Sequence, residues 1–75
     1  MNITVYSTDT CPWCKKAKDY LSGKGVEFRE VNVGVDRNGA MEMVKKSGQQ
    51  GVPVLDIDGH IIIGFDQARI DSLIS

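Results

Sequence analysis

Thr10-Cys11-Pro12-Trp13-Cys14, followed by Lys15-Lys16-Ala17-Lys18, holds both cysteines of a 75-residue chain, three positions apart. The stretch lies where a short alternating apolar run (Ile3, Val5) gives way to a helical pattern. Side chains at i and i+3 of a helix are about 5–6 Å apart at Cβ, so a small adjustment closes a disulfide between them. Cys11, at the helix tip, meets unpaired backbone N–H groups and the positive end of the dipole. Both favour a thiolate, the attacking species in disulfide exchange. Cys14 lies one turn further in and is placed to resolve a mixed disulfide. Two inert neighbours would satisfy the same spacing, but Cys-x-x-Cys at a strand-to-helix junction is the pattern of redox folds. The stretch reads as a redox-active dithiol.

Outward from it, residues 2–6 alternate as a strand, with Ile3 and Val5 on one face and Asn2, Thr4 and Tyr6 on the other. Ser7 to Thr10 is polar and turn-prone. Pro12 suits a first helical turn, where its missing N–H costs nothing. Ala17, Tyr20 and Leu21 then predict one buried face, and Gly23 and Gly25 predict its end. Residues 26–33 predict a second strand whose phase slips near Arg29-Glu30, through a bulge or an early end. Asp36 or Asn38 is positioned to cap a second helix with Ala40, Val44 and Ser47 inward and Met41 and Met43 flanking as filler. Glu42 faces Lys45 and Lys46 as a solvated pair, and Gly48 stops the helix.

Residues 52–57 predict a third strand, Asp58-Gly59 a two-residue hairpin, and Ile61-Ile62-Ile63 the returning strand. Asp66 then caps a last helix whose inner face is Ile70, Leu73 and Ile74. The order β-α-β-α-β-β-α predicts a mixed four-stranded sheet flanked by helices. Its first two strands are parallel through a crossover and its last two antiparallel through a tight turn.

At this length the chain is expected to be one domain over residues 1–75, near the small end of what folds unaided. A net charge of −1, with no single-sign run beyond Lys15-Lys16 or Lys45-Lys46, points away from nucleic acid and membranes as partners. No signal peptide or apolar span is visible, so a cytoplasmic location is the expectation. In that compartment two cysteines do not make a permanent staple, and a bridge this short would constrain the unfolded chain little. Stability falls to the apolar core, which leaves the cysteines for chemistry or for a metal.

Over nearly its whole length the chain resembles the glutaredoxins, within the thioredoxin fold. Thr10-Cys11-Pro12-Trp13-Cys14 resembles that family's Cys-Pro-aromatic-Cys site, and Gly51-Val52-Pro53-Val54 its Thr-Val-Pro segment. The resemblance implies a cis Pro53 facing the dithiol, with the Val52 backbone turned outward to pair with a cysteine-containing substrate like an added strand. It also implies a thiol–disulfide oxidoreductase working as a monomeric electron carrier on disulfide-containing proteins. No tightly bound cofactor is expected, and glutathione is expected only as a co-substrate.

The resemblance is incomplete at the positions that hold glutathione. Thr8 stands where glutathione-using members carry a lysine, and Gly51 where they carry a threonine. Their Gly-Gly and following acidic residues are replaced by Ile63-Gly64-Phe65-Asp66-Gln67. Gly64-Phe65 instead resembles the redoxins that serve ribonucleotide reductase (NrdH-type) and draw electrons from thioredoxin reductase, although those usually lack Pro-Trp between their cysteines. The expected substrate- or glutathione-binding positions are Thr8, Val52, Pro53, Gly64, Phe65 and Asp66. Trp13 is expected as an exposed docking rim, and His60 as a turn residue remote from the cysteines.

Metal transfer through Cys11 and Cys14 is the rival from another class. It is opposed by the stiff Pro12-Trp13 insert, the lack of a third ligand nearby and the order of elements. A cluster-bridged dimer on Cys11 would need the glutathione anchors that are depleted here.

Overall fold

A computed structural model describes residues 1–74. β1 (Ile3–Ser7), α1 (Pro12–Gly23), β2 (Arg29–Asn32), α2 (Arg37–Ser47), β3 (Val54–Ile57), β4 (His60–Ile63) and α3 (Gln67–Ile74) follow in the expected order. The sheet order is β2-β1-β3-β4. β1 pairs with β2 in parallel and with β3 antiparallel, and β3 pairs with β4 antiparallel. Asp58 and Gly59 both take positive φ (50° and 92°), the geometry of the tight hairpin that their sequence predicts.

Both sheet faces are covered. Ile3, Val5, Leu55, Ile57 and Ile62 pack under Ala17 and Leu21 of α1 and Ile70 of α3. Tyr6, Val31 and Val54 pack under Met43 of α2. The alternation in β1 therefore separates two buried faces rather than a wet one from a dry one. Each buried side chain of this size contributes about 1.5–3 kcal/mol, so the two layers together carry the stability.

Four local expectations are corrected. The first strand runs one residue further than expected. Ser7, assigned to the loop, is held in the ladder opposite Asn32 and accepts the Val33 N–H at 2.9 Å. The second strand is only Arg29–Asn32. Val26 and Phe28 leave the ladder to pack against the larger core, so the phase slip marks where the strand begins. The third strand starts at Val54, because Pro53 has no N–H for a ladder.

The inner face of α2 is Gly39 and Met43, not Ala40 and Val44, and Met41 is 61% exposed. A Cβ built on Gly39 runs into Cγ1 of Val31. The missing side chain lets the helix approach β2 closely and sets its rotation. Periodicity of apolar residues cannot show this, since glycine does not register as apolar. Asp36, rather than Asn38, supplies the cap, accepting the Gly39 N–H at 2.9 Å.

A polar cluster joins α2 to the sheet. The buried Tyr6 hydroxyl donates to Glu42 at 2.5 Å and accepts from Lys46 at 3.0 Å, while Lys46 reaches Asp56 at 2.7 Å. Glu42, expected to pair only with the lysines of its own helix, thus reaches across to β1. The Tyr6 hydroxyl and the Lys46 ammonium hold its carboxyl below the usual range. Burial pulls Asp56 upward, but bonds from Lys46 and the Gly59 N–H outweigh it and its carboxyl is also held low. Carboxyls held low stabilise the fold above their ordinary values near pH 4, and lose that contribution as pH falls through the lowered ones.

Two outcomes follow for stability, both read as urea midpoints. Gly39→Ala lowers stability by about 1–3 kcal/mol through overpacking, although alanine favours a helix over glycine by about 1 kcal/mol. A midpoint equal to or above wild type would refute the close approach. Lys46→Met narrows the gap between the midpoints at neutral pH and at about pH 3, as its partners lose their cation. An unchanged gap would mean that the cluster does not couple to folding.

Candidate active site

Cys11 is the N-cap of α1, with extended backbone (φ −99°, ψ 107°), and Pro12 occupies the first turn. Its carbonyl accepts the Lys15 N–H at 3.2 Å and its Sγ accepts the Cys14 N–H at 3.1 Å. The sulfur thus takes the place of the usual Ser or Asp oxygen at a helix start. Cys11 is half-buried, and Cys14, one turn in, is fully buried. Burial and the hydrogen bond to Cys11 push the Cys14 thiol up to about 11, against the opposing pull of the Thr8 backbone and the Lys18 charge. One sulfur is partly open to solvent. The other is kept protonated behind it.

The Val52–Pro53 bond is cis. The Cys11 thiol lies 3.9 Å from the Val52 carbonyl oxygen, and the Pro53 carbonyl accepts the Gly64 N–H at 2.8 Å. That bond ties the start of β3 to the end of β4, where Gly64 turns the chain with φ +82°. Trp13, Val52, Pro53, Gly64 and Phe65 line a shallow groove of about 310 Å³ beside the dithiol. Trp13 is 56% exposed, and the Lys16 ammonium sits 4.3 Å over its ring. Phe65 is fixed edge-to-face on Tyr20, with ring centroids 5.7 Å apart.

The fold therefore brings Cys11, Cys14, Trp13, Val52, Pro53, Gly64 and Phe65 together from three separated stretches, with the Thr8 backbone behind Cys14. Thr10 and Asp66 are exposed and do not line the groove. Asp66 instead caps α3, its carboxylate accepting the Arg69 N–H at 3.1 Å. His60 is exposed at the start of β4. Two contributors escaped the sequence reading: Lys16 over Trp13, and Tyr20 as the platform for Phe65. The i,i+3 spacing could have shown the first. Nothing in the sequence points to the Tyr20–Phe65 contact.

Residues 3–62 match the Glutaredoxin family. The chain belongs to the glutaredoxin family. It is 56% identical over 72 residues to a glutaredoxin-like 8.6 kDa protein in the rubredoxin operon of Clostridium pasteurianum, covering 96% of each chain. It is 42% identical over 65 residues to glutaredoxin 3 of Escherichia coli K12, covering 87% of this chain and 78% of that one. Among solved structures it superposes on the glutaredoxin-like NrdH-redoxin of Escherichia coli with a TM-score of 0.86 and 27% identity, covering 100% of this chain and 97% of that one. A glutaredoxin-like redox protein of thioredoxin-like fold is the coarse identity these likenesses give. Among the described residues no helix is long and apolar enough to cross a membrane.

Limiting iodoacetamide at neutral pH should modify the native glutaredoxin at Cys11 alone, with Cys14 reacting only as pH approaches about 11 or on unfolding. Peptide mass mapping reads the site. Equal labelling at neutral pH would contradict the burial of Cys14.

Proposed function

We propose that the chain is a dithiol–disulfide oxidoreductase in which Cys11 attacks and Cys14 resolves. The observation that carries this reading is the asymmetry of the pair: a half-buried, amide-bonded sulfur at the helix tip and a fully buried thiol behind it. The Cys11 thiolate attacks one sulfur of a substrate disulfide, forming a mixed disulfide and releasing the other sulfur as thiolate. Cys14 then loses its proton to solvent and attacks the Cys11 sulfur. A Cys11–Cys14 disulfide forms and the second substrate thiolate leaves. Two electrons pass to the substrate, and an external reductant restores the dithiol. Val52 and Pro53 offer a backbone edge, and Trp13 and Phe65 apolar walls, for a substrate segment seated beside Cys11.

A protein reductant of the thioredoxin-reductase type is favoured over glutathione by two observations. Asp66, the one acidic anchor retained from the glutathione pattern, spends its carboxylate on the α3 cap. Phe65 supplies an apolar wall where an anchor for a charged tripeptide would be needed. The NrdH-redoxin of Escherichia coli, similar over the whole of this chain, is described as having a thioredoxin-like activity profile. Glutathione would serve as co-substrate only through Val52 and whatever Thr8 contributes.

NADPH oxidation with a disulfide substrate tests the reading in two parallel arms, one with thioredoxin reductase and one with glutathione and glutathione reductase. Turnover is expected in the first arm, and at least tenfold less in the second. The opposite ranking would overturn the choice of reductant. Cys11→Ser abolishes turnover in both arms, and Cys14→Ser accumulates a Cys11 mixed disulfide visible by mass. Substantial activity in Cys11→Ser would sink the assignment of the nucleophile.

A further inference from the structure

We infer that Tyr20 is a positioning residue that fixes Phe65 as a wall of the groove beside Cys11. The groove thereby selects substrate segments with a large apolar residue close to the cysteine, a role resting on the dithiol reading above. Little else holds Phe65 in place. Gly64, with φ +82°, leads into it from the end of β4, and α3 begins only at Gln67. Its neighbours on both sides are anchored: the Gly64 N–H donates to the Pro53 carbonyl, and the Asp66 carboxylate accepts the Arg69 N–H. Among the described residues Phe65 has no hydrogen bond of its own. The packing of its ring sets its place.

Tyr20 is half-buried and held from several sides. Its ring meets Phe65 edge-to-face, with centroids 5.7 Å apart and planes inclined at 67°. Its hydroxyl donates to the Asp71 carboxylate on α3. The Lys24 ammonium lies 5.3 Å from the centroid of the Tyr20 ring and 3.7 Å from the same carboxylate oxygen. An exposed ion pair of this kind contributes little alone. Together with the hydroxyl bond it leaves the ring little freedom to turn. An aromatic pair in this geometry is favourable beyond the area it buries, so a fixed Tyr20 fixes Phe65. Tyr20 does not itself line the groove and acts through Phe65.

The groove of about 310 Å³ has Trp13, Val52, Pro53, Gly64 and Phe65 as its walls, with no charged side chain among them. The Cys11 sulfur stands beside it, 3.9 Å from the Val52 carbonyl oxygen. A segment whose cysteine reaches Cys11 therefore lays a neighbouring side chain against Phe65. A wall already in place costs nothing to order when an apolar side chain arrives. A wall free to swing would lose that advantage, and with it the preference for apolar over polar neighbours.

Two synthetic peptides test this, each carrying one cysteine as a mixed disulfide with thionitrobenzoate. The two residues on either side of the cysteine are leucine in one peptide and serine in the other. The Cys11 thiolate attacks the peptide sulfur, forming a Cys11–peptide disulfide and releasing thionitrobenzoate as a coloured thiolate. Cys14 then forms the Cys11–Cys14 disulfide and releases the peptide thiolate. Stopped-flow mixing with reduced protein gives the half-saturating peptide concentration and the limiting rate of the coloured release. Wild type is expected to half-saturate at about tenfold less leucine peptide than serine peptide. Tyr20→Leu should raise the leucine value about tenfold and leave the serine value and both limiting rates within about twofold. Tyr20→Phe, which keeps the ring and loses only the bond to Asp71, should raise it about threefold. In a Phe65→Leu background the contact is already gone, and Tyr20→Leu should add no further loss.

A Tyr20→Leu variant that keeps the wild-type preference, equal slowing of both limiting rates, or an additive loss in the Phe65→Leu background would each overturn the inference. If Tyr20→Leu does not fold, Tyr20→Phe decides, and a wild-type leucine value there overturns it. A wild-type protein that releases no thionitrobenzoate overturns the dithiol reading. One that releases it with no preference between the peptides overturns only the role of Tyr20 and Phe65.

Discussion

The hydrogen bond from the Cys14 N–H to Cys11 Sγ, at 3.1 Å, joins the folding of α1 to the chemistry of the site. A helix must satisfy its first N–H groups, and here the acceptor is the sulfur that lies 3.9 Å from the Val52 carbonyl oxygen, next to the groove. The same bond holds the two cysteines at a spacing from which a disulfide can close. Because Cys11 caps, Cys14 falls one turn later on the inner stripe with Ala17 and Leu21, and is fully buried by the core that holds the helix down. Exposure of one sulfur and burial of the other thus come from a single geometric choice at the start of α1.

The second half of the site is built by the opposite edge of the sheet. The Pro53 carbonyl accepts the Gly64 N–H, so the segments before β3 and after β4 end side by side under the helix tip. The hairpin at Asp58-Gly59 makes that meeting inevitable once β3 and β4 are in register, Val54 opposite Ile63. Phe65 then turns back onto Tyr20 of α1, which ties the wall of the groove to the helix that carries the cysteines. The groove is held by contacts among three stretches far apart in the chain.

On the other face, Gly39 and the Tyr6–Glu42–Lys46–Asp56 cluster set how α2 sits. Gly39 permits close approach to Val31, and the cluster gives the buried Tyr6 hydroxyl a donor and an acceptor. A buried hydroxyl without such partners is costly. Among the described residues Ser7, one along the same strand and on the other face, has none.

Much of this was legible in the residues. Period-two and helical patterns, Pro12 at a first turn, Gly48 at a helix end and Asp58-Gly59 at a turn are local signals, and each acts through the backbone conformation of the residue that carries it. Cys-x-x-Cys at a strand–helix junction is equally local, and so were the element order and the dithiol. What the sequence could not yield depends on which surfaces meet. The rotation of α2 follows from a side chain that Gly39 lacks, and the short β2 from Val26 and Phe28 finding a core instead of a ladder. The same holds for Glu42 reaching Tyr6 and Phe65 resting on Tyr20. Local rules determine an element because its hydrogen bonds close within a few residues. The groove and the buried neighbours of a thiol were decided by packing between distant segments, where burial and partner choice outweigh local preference.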